Sequence, residues 1–455
     1  MTQQMASEQG LFQGRVIRPE DGDYDEARAV YNAMHDRRPA LIVRAAGVED
    51  IRAAIRLARE HDLPLAIRGG GHSVAGFSTC DDGLVLDLGE MRRTAVDPEQ
   101  RRVRAEGGCT WGELNQATYA AGLATTGGVI STTGIAGLTL GGGLGFLARQ
   151  CGLACDNLVC AELVTADGDI LSCSEDENDD LFWALRGGGG NFGVVASFEY
   201  RLHAVRDVIG GPTVFPLDAD VLRGFGDVVA RAPEDFGAIL GLALAPPFPF
   251  LPKEWHLKPV AVVISCWTGD PNDAGALRPL EELGPAIGHA VGPMPYPVIN
   301  TLFDELLPKG LRHYWKSMFV SGIEEPTIDL HVEHAARVPT LESGAFFFPI
   351  DGACHRVGAD ETAFPFRDRS FGVGVFGTWH EPADDERITA WVRDYDDALR
   401  PFAGGGGYVN FSSSDEQGRV AETYGPNHAR LARVKRRYDP TNLFRLNQNV
   451  VPAGA

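Results

Sequence analysis

Residues 67–78 read IRGGGHSVAGFS, where three consecutive glycines, Gly69–Gly71, deliver a single histidine, His72, at the end of an apolar run. A residue without Cβ lets the backbone approach another group closely and adopt positive φ. Three in a row therefore mark a place where bare main chain meets something next to an imidazole. The stretch before it is regular. Val48, Ile51, Ala54, Ile55 and Ala58 recur at helical spacing with arginines between them, predicting an amphipathic helix over 47–61, and 63–68 then predicts a short strand that ends at the glycines.

Glycine is the compositional outlier, at 55 residues, and it concentrates before residue 200. The stretch 122–153 is too glycine-rich for a stable helix and too apolar for a solvated linker, so it is expected to be buried loop. A further block, RGGGGNFGVV (186–195), runs into the strand-like VASFEYRL. Strands are also expected at 84–88 and 102–106. Thr110 and Glu113 have capping-box spacing and open a helix through about Ala121. Residues 162–166 and 169–173 flank Asp167-Gly168 as a hairpin, and 180–186 reads as a short helix.

From about residue 206 glycine thins out, prolines cluster at 246–252, and mixed helix and strand patterns take over. Glycine returns in GGGGYVNF (404–411), so the tail is expected to complete the first unit. This gives one domain from 1–205 plus 405–455 and a second from 206–404.

A formal net charge of −21 disfavours nucleic acid and anionic membrane surfaces as partners, because the long-range field has the wrong sign. No run is apolar and long enough for a membrane span, and the first residues lack a secretion pattern, so a cytoplasmic protein is expected. The eight cysteines are too sparse for a disulfide scaffold; Cys151, Cys155 and Cys160 lack the pairing or neighbouring histidine of a metal site, and no metal is expected. There is no P-loop motif, and Gly143, Gly145 and Ala148 match G-x-G-x-x-A without a preceding strand, which argues against a Rossmann unit. Several glycine blocks in one domain nevertheless suit a pyrophosphate, whose oxygens bind nests of backbone N–H groups. A dinucleotide cofactor is the physical expectation.

RGGGH (68–72), TTGGVISTTGIAGLTLGGGLG (125–145), LRGGGGNFGVV (185–195) and YGPNHARLARVKRRYDPTNLFRLNQN (424–449) together resemble the berberine-bridge-enzyme-like FAD-linked oxidases of the vanillyl-alcohol-oxidase, or PCMH-type, FAD-binding superfamily. The chain is similar to their bacterial 6-hydroxynicotine-oxidase branch. The resemblance implies an α+β, two-domain PCMH-type FAD-binding fold whose second domain pairs an antiparallel sheet with helices. It implies that His72 is tethered to the 8α-methyl of FAD. Relatives attached twice use a cysteine at the position held here by Ile130, so a single bond is expected. Thr133 falls where relatives admit or exclude oxygen.

By the same carry-over, Arg68, Gly69, Gly70, Gly71, His72 and Ser73 hold FAD, as do Ser131, Thr132, Thr133, Gly134 and Gly137. Asn157, Gly190, Gly193, Val195, Tyr408, Asn410 and Asn447 complete that set.

Plant members use a tyrosine base where this chain has Phe411. Either another group takes the proton or the substrate is an amine that needs none. Strand alternation would put Tyr408 and Asn410 on one face, as alternatives for contacting flavin or substrate. In HYWKS (313–317), alternation puts Tyr314 and Lys316 together and Trp315 opposite. Relatives line the substrate pocket with a similar segment, which makes Tyr314 and Lys316 candidates beside Asn410 and Thr133, with Lys316 a base if burial depresses its pKa. His355 either faces the flavin ring or sits at the surface. The implied function is an FAD-dependent oxidase that takes a hydride from an amine, an alcohol or a natural-product intermediate and reduces O2 to H2O2. The alternatives are a dehydrogenase with another acceptor or a flavin-bearing binding protein.

Overall fold

Periodicity along the first two hundred residues builds two small sheets. The computed structural model describes residues 10–270, 275 and 278–454. Strands Arg15–Ile17, Leu41–Arg44, Leu84–Asp87 and Leu65–Arg68 form a four-stranded sheet in that order, with Leu84–Asp87 parallel to both neighbours. The helix Val48–Glu60 covers it through Ile51, Ala54, Ile55 and Ala58, all almost wholly buried. Strands Thr94–Asp97, Arg102–Glu106, Val194–Arg201, Leu158–Val164 and Ile170–Ser174 form an antiparallel five-stranded sheet. Against it packs the helix Trp111–Tyr119, whose Thr110 hydroxyl accepts from the Glu113 N–H while Glu113 Oε2 accepts from the Thr110 N–H at 2.8 Å.

Two local expectations are corrected. The expected hairpin forms, with Leu158–Val164 pairing antiparallel to Ile170–Ser174, but the Asp167-Gly168 pair sits in a longer loop joining them, and only Gly168 takes positive φ (+85°). The stretch 122–153 contains two short helices, Ile135–Leu140 and Ala148–Cys151, between its loops. Burial of Ile135 and Leu140 in the core offsets the poor intrinsic helix propensity of their glycine-rich surroundings.

The chain then builds an eight-stranded antiparallel sheet wholly within 207–379, with central order Asp207–Pro216, Pro259–Trp267, Phe236–Leu244, Gly344–Pro349, Phe371–Trp379, Arg312–Val320. Helices Ala219–Arg231, Glu325–Ala335 and Asp385–Leu399 bury their apolar stripes on one face. The other face turns toward the glycine segments. The architecture is two-domain α+β. The tail returns to the first unit as the helix His428–Tyr438, whose Lys435 is fully buried and donates to Asn191 O, Asp439 Oδ2 and Phe444 O. No helix among the described residues is long and apolar enough to cross a membrane.

Candidate active site

A cavity of about 450 Å³ lies between the glycine segments and the free face of the large sheet, within the size range of small-molecule sites. One wall is largely backbone. Gly70 and Gly134 pack main chain to main chain; a Cβ on either would sit 2.3 Å from the other's amide nitrogen. That approach brings His72 to Thr132 and Thr133. Its Nε2 lies 3.0 Å from Thr132 Oγ1 and its Nδ1 lies 3.3 Å from Thr133 Oγ1. The imidazole stacks on Tyr31 at 3.9 Å with a 17° interplanar angle, and Tyr31 stacks in turn on His313 at 4.7 Å. Tyr31 is itself fixed, its hydroxyl donating to Leu307 O and its amide to Gly71 O. One edge of His72 opens to the cavity, but these surroundings desolvate it, and with help from the nearby Lys309 charge they push its pKa down to about 4. The ring is therefore neutral at physiological pH and keeps a nucleophilic lone pair.

Gly69, Gly71, Ser73, Ile130, Gly137, Gly190, Gly193, Val195 and Asn447 line the same cavity, with Thr133 beside His72. A Cβ at Gly137 or Gly190 would meet nothing within 4 Å, so bare backbone faces open space there. The side-chain oxygen Oδ1 of Asn447 and the side-chain nitrogen Nε2 of Gln448 are buried on this wall without a hydrogen-bond partner, which is where a polar ligand is owed. No cysteine lines the cavity, and all eight are free thiols.

The opposite wall is aromatic: Trp315, Phe346, Phe348, Phe376 and Phe411. Tyr408 and Asn410 close one end. Residues Val409–Phe411 form a single turn of 3₁₀ helix where a strand was expected, so alternation is not what brings these two together. The meeting is direct: Asn410 Nδ2 donates to Tyr408 Oη at 2.8 Å and to Leu138 O at 3.0 Å. Tyr408 Oη also accepts from Gly143 N at 2.8 Å, and burial pushes its pKa up, so it stays a phenol.

Other expected site residues lie elsewhere. Tyr314 and Lys316 do share a face, but it is the face against the helices. Tyr314 donates to Asp415 at 2.6 Å, and Lys316 donates to Glu416 at 2.6 Å and Asp415 at 3.0 Å. Burial opposes the Lys316 charge, yet these carboxylates outweigh it and raise the lysine's pKa, the reverse of what a base needs. Arg68 is spent on the carbonyls of Ala27, Arg28 and Ser78, and Ser131 binds Asp304. Asn157 is buried on Cys151 O, Leu153 O and His203. Thr132 reaches the site only through His72. His355 is exposed and bonds Arg369 O. Sequence reasoning passed over Tyr31 and Glu342, which carry no local motif, and His313, the first residue of HYWKS, and set Trp315 on the face that it did not choose.

A family model described as "FAD binding domain" matches residues 39–174, and one described as "Berberine and berberine like" matches 407–451. The chain is 32% identical to an FAD-linked oxidoreductase of Bacillus subtilis (strain 168), across 96% of this chain and 97% of that one. It is 31% identical to (R)-6-hydroxynicotine oxidase of Paenarthrobacter nicotinovorans, across 98% of each. The crystal structure of 6-hydroxy-D-nicotine oxidase from Arthrobacter nicotinovorans superposes with a TM-score of 0.85 at 29% identity, covering 96% of this chain and 98% of that one. BBE-like 1 of Physcomitrella patens superposes at 0.88 with 21% identity over 100% of both chains, a likeness of fold.

FAD fits what the cavity offers: bare backbone at Gly137 and Gly190, unpartnered amide groups at Asn447 and Gln448, and an apolar wall for a planar ring. The chain belongs to the berberine-bridge-enzyme-like family of FAD-linked oxidoreductases.

Proposed function

We propose that this protein is an oxidase that carries its FAD on His72 alone, takes a hydride from a small organic substrate and passes the electrons to O2, giving H2O2. The observation that carries the reading is the neutral imidazole at the cavity wall, bracketed by Thr132 and Thr133 and stacked on Tyr31. Oxidase names among full-length relatives support oxygen as the acceptor. When bound, FAD supplies a two-electron acceptor for hydride from carbon and returns those electrons to a second acceptor.

The chain's own residues do the rest. Thr133 stands beside His72 on the cavity wall, with a small side chain that leaves room for oxygen. Trp315, Phe346, Phe348, Phe376 and Phe411 hold the substrate and keep water out. Tyr408 and Asn410 position polar groups without moving a proton, since the phenol is held protonated and the Asn410 amide is bound to Leu138 O and Tyr408. We assign the cofactor to the unit built from 1–205 and 405–455 and the substrate to 206–404, because the backbone wall comes from the first and the aromatic wall, Phe411 aside, from the sheet of the second. The test is to reduce the yellow protein without air and then admit oxygen. Rapid return of the flavin spectrum with one peroxide per flavin is expected. Slow return, with fast electron transfer to a dye instead, would make it a dehydrogenase.

A further inference from the structure

The segment that carries His72 is irregular chain, with Gly69–Gly71 just before it and Gly71 at a φ of +72°. No helix or strand therefore sets the direction of the imidazole. Side chains set it instead. Thr132 and Thr133 each face one ring nitrogen, at 3.0 and 3.3 Å, and Tyr31 covers one face of the ring. Whichever nitrogen bonds to the flavin gives up its threonine, whereas a contact on the ring face is compatible with reaction at either edge. Tyr31 is the partner that stays.

The surroundings of Tyr31 fix its plane. It is 3% exposed and lies between two imidazoles, His72 at 3.9 Å and 17° on one side and His313 at 4.7 Å and 12° on the other. Its N–H donates to Gly71 O at 3.1 Å, its carbonyl accepts from Gly310 N at 3.1 Å, and its hydroxyl donates to Leu307 O at 2.8 Å. Burial, with help from the Asp304 charge, pushes its pKa up, so the phenol stays protonated and acts through its ring. The next residue, Asn32, is fully buried and fastens the stack from both sides. Its Nδ2 donates to Val74 O at 2.8 Å and to His313 O at 2.9 Å, and its Oδ1 accepts from His313 N at 2.9 Å. The pair Tyr31-Asn32 thereby sets the spacing between the loop of His72 and the sheet strand of His313. That strand continues to Trp315, which His313 meets edge to face at 5.4 Å and which lines the cavity.

We propose that Tyr31 is a positioning residue for covalent attachment of the cofactor: its ring, backed by His313, holds the His72 imidazole edge-on to the cavity so that a ring nitrogen meets the 8α carbon of FAD. This rests on the His72 tether of the reading above. Attachment breaks one C–H bond at the 8α carbon and the imidazole N–H bond, forms the N–C bond, and leaves two electrons and two protons on the flavin, which is thereby reduced. O2 then takes them up as H2O2. Such a bond forms only from a well-directed nucleophile, since a misplacement of about 1 Å can cost roughly 10²-fold in rate.

Full-length protein from riboflavin-limited cells, mixed with FAD in air, tests this through two separate readouts. FAD affinity is read from the quenching of flavin fluorescence on mixing, and attachment from the flavin that stays with acid-precipitated protein over time. Tyr31→Leu should bind FAD within about threefold of the parent and attach it at least about tenfold more slowly. Tyr31→Phe keeps the ring, loses only the bond to Leu307 O, and should attach FAD at the parent rate. The acid-insoluble fraction of flavin in protein from riboflavin-fed cells should follow the same order. Equal attachment by the parent and Tyr31→Leu would overturn the proposal, and so would a Tyr31→Phe protein as slow as Tyr31→Leu. Loss of FAD binding in Tyr31→Leu would also overturn it, because the ring's task would then be folding. Flavin that acid frees from the parent itself would instead bring down the His72 tether, and this proposal with it.

Discussion

His72 and Thr133 show how much a single contact decides. The two side chains are 3.3 Å apart on the same cavity wall, so bulk added at 133 crowds the space beside the imidazole. Thr133→Leu is expected to slow reoxidation by oxygen by about tenfold or more while slowing anaerobic reduction by substrate far less. Stopped-flow traces of the two half-reactions check this, and equal slowing would remove Thr133 from the oxygen route. The residue scale also shows where sequence reading stops. HYWKS displays its alternation openly, but which face meets the cavity depends on Asp415 and Glu416, about a hundred positions away, drawing Lys316 and Tyr314 to the other side. Local pattern carries the period of a strand and leaves open its partner.

The glycine segments are elements whose meaning lies in their pairing. RGGGH was legible as a place of close approach, and the approach is to Gly134, sixty-odd residues later. Gly134→Ala and Gly137→Ala separate the two uses of glycine. At 134 a Cβ meets main chain at 2.3 Å with no flexible atom to yield, and destabilisation of about 1–3 kcal/mol or more is expected with loss of the yellow colour. At 137 the Cβ meets nothing, so thermal stability should match the parent while flavin loading falls. Calorimetry with flavin quantitation checks both. The regular elements were the easiest to read: apolar spacing gave the helix Val48–Glu60 nearly to its ends, and the Thr110/Glu113 pair marked the start of the next. The turn at Val409–Phe411 was not legible, because YVNF has the composition of a strand and its backbone is set by long-range bonds from Tyr408 to Gly143 and from Asn410 to Leu138.

Across the whole molecule, two units assembled from distant parts of the chain enclose one slot, and the histidines buried near and behind it make the assembly sensitive to acid. Burial pushes His313 and His331 down to about 3, against about 6.5 in an unfolded chain. The folded state therefore refuses protons that the unfolded state accepts. The stability these neutral rings contribute is complete above pH 6.5 and is lost as pH falls toward 3. Each should cost about 1 kcal/mol by pH 5.5, above the range where carboxylates titrate. Thermal midpoints between pH 7.5 and 5.5 check this, and His331→Gln should flatten the slope.

The central claim is that separated bare-backbone segments form a slot for FAD anchored by one imidazole. Acid precipitation of the purified yellow protein tests it most directly. The flavin absorbance should stay with the polypeptide, map to the peptide containing His72, and move to the supernatant in His72→Ala. A flavin that washes free of the unaltered protein, or a protein colourless after growth with abundant riboflavin, would contradict the account.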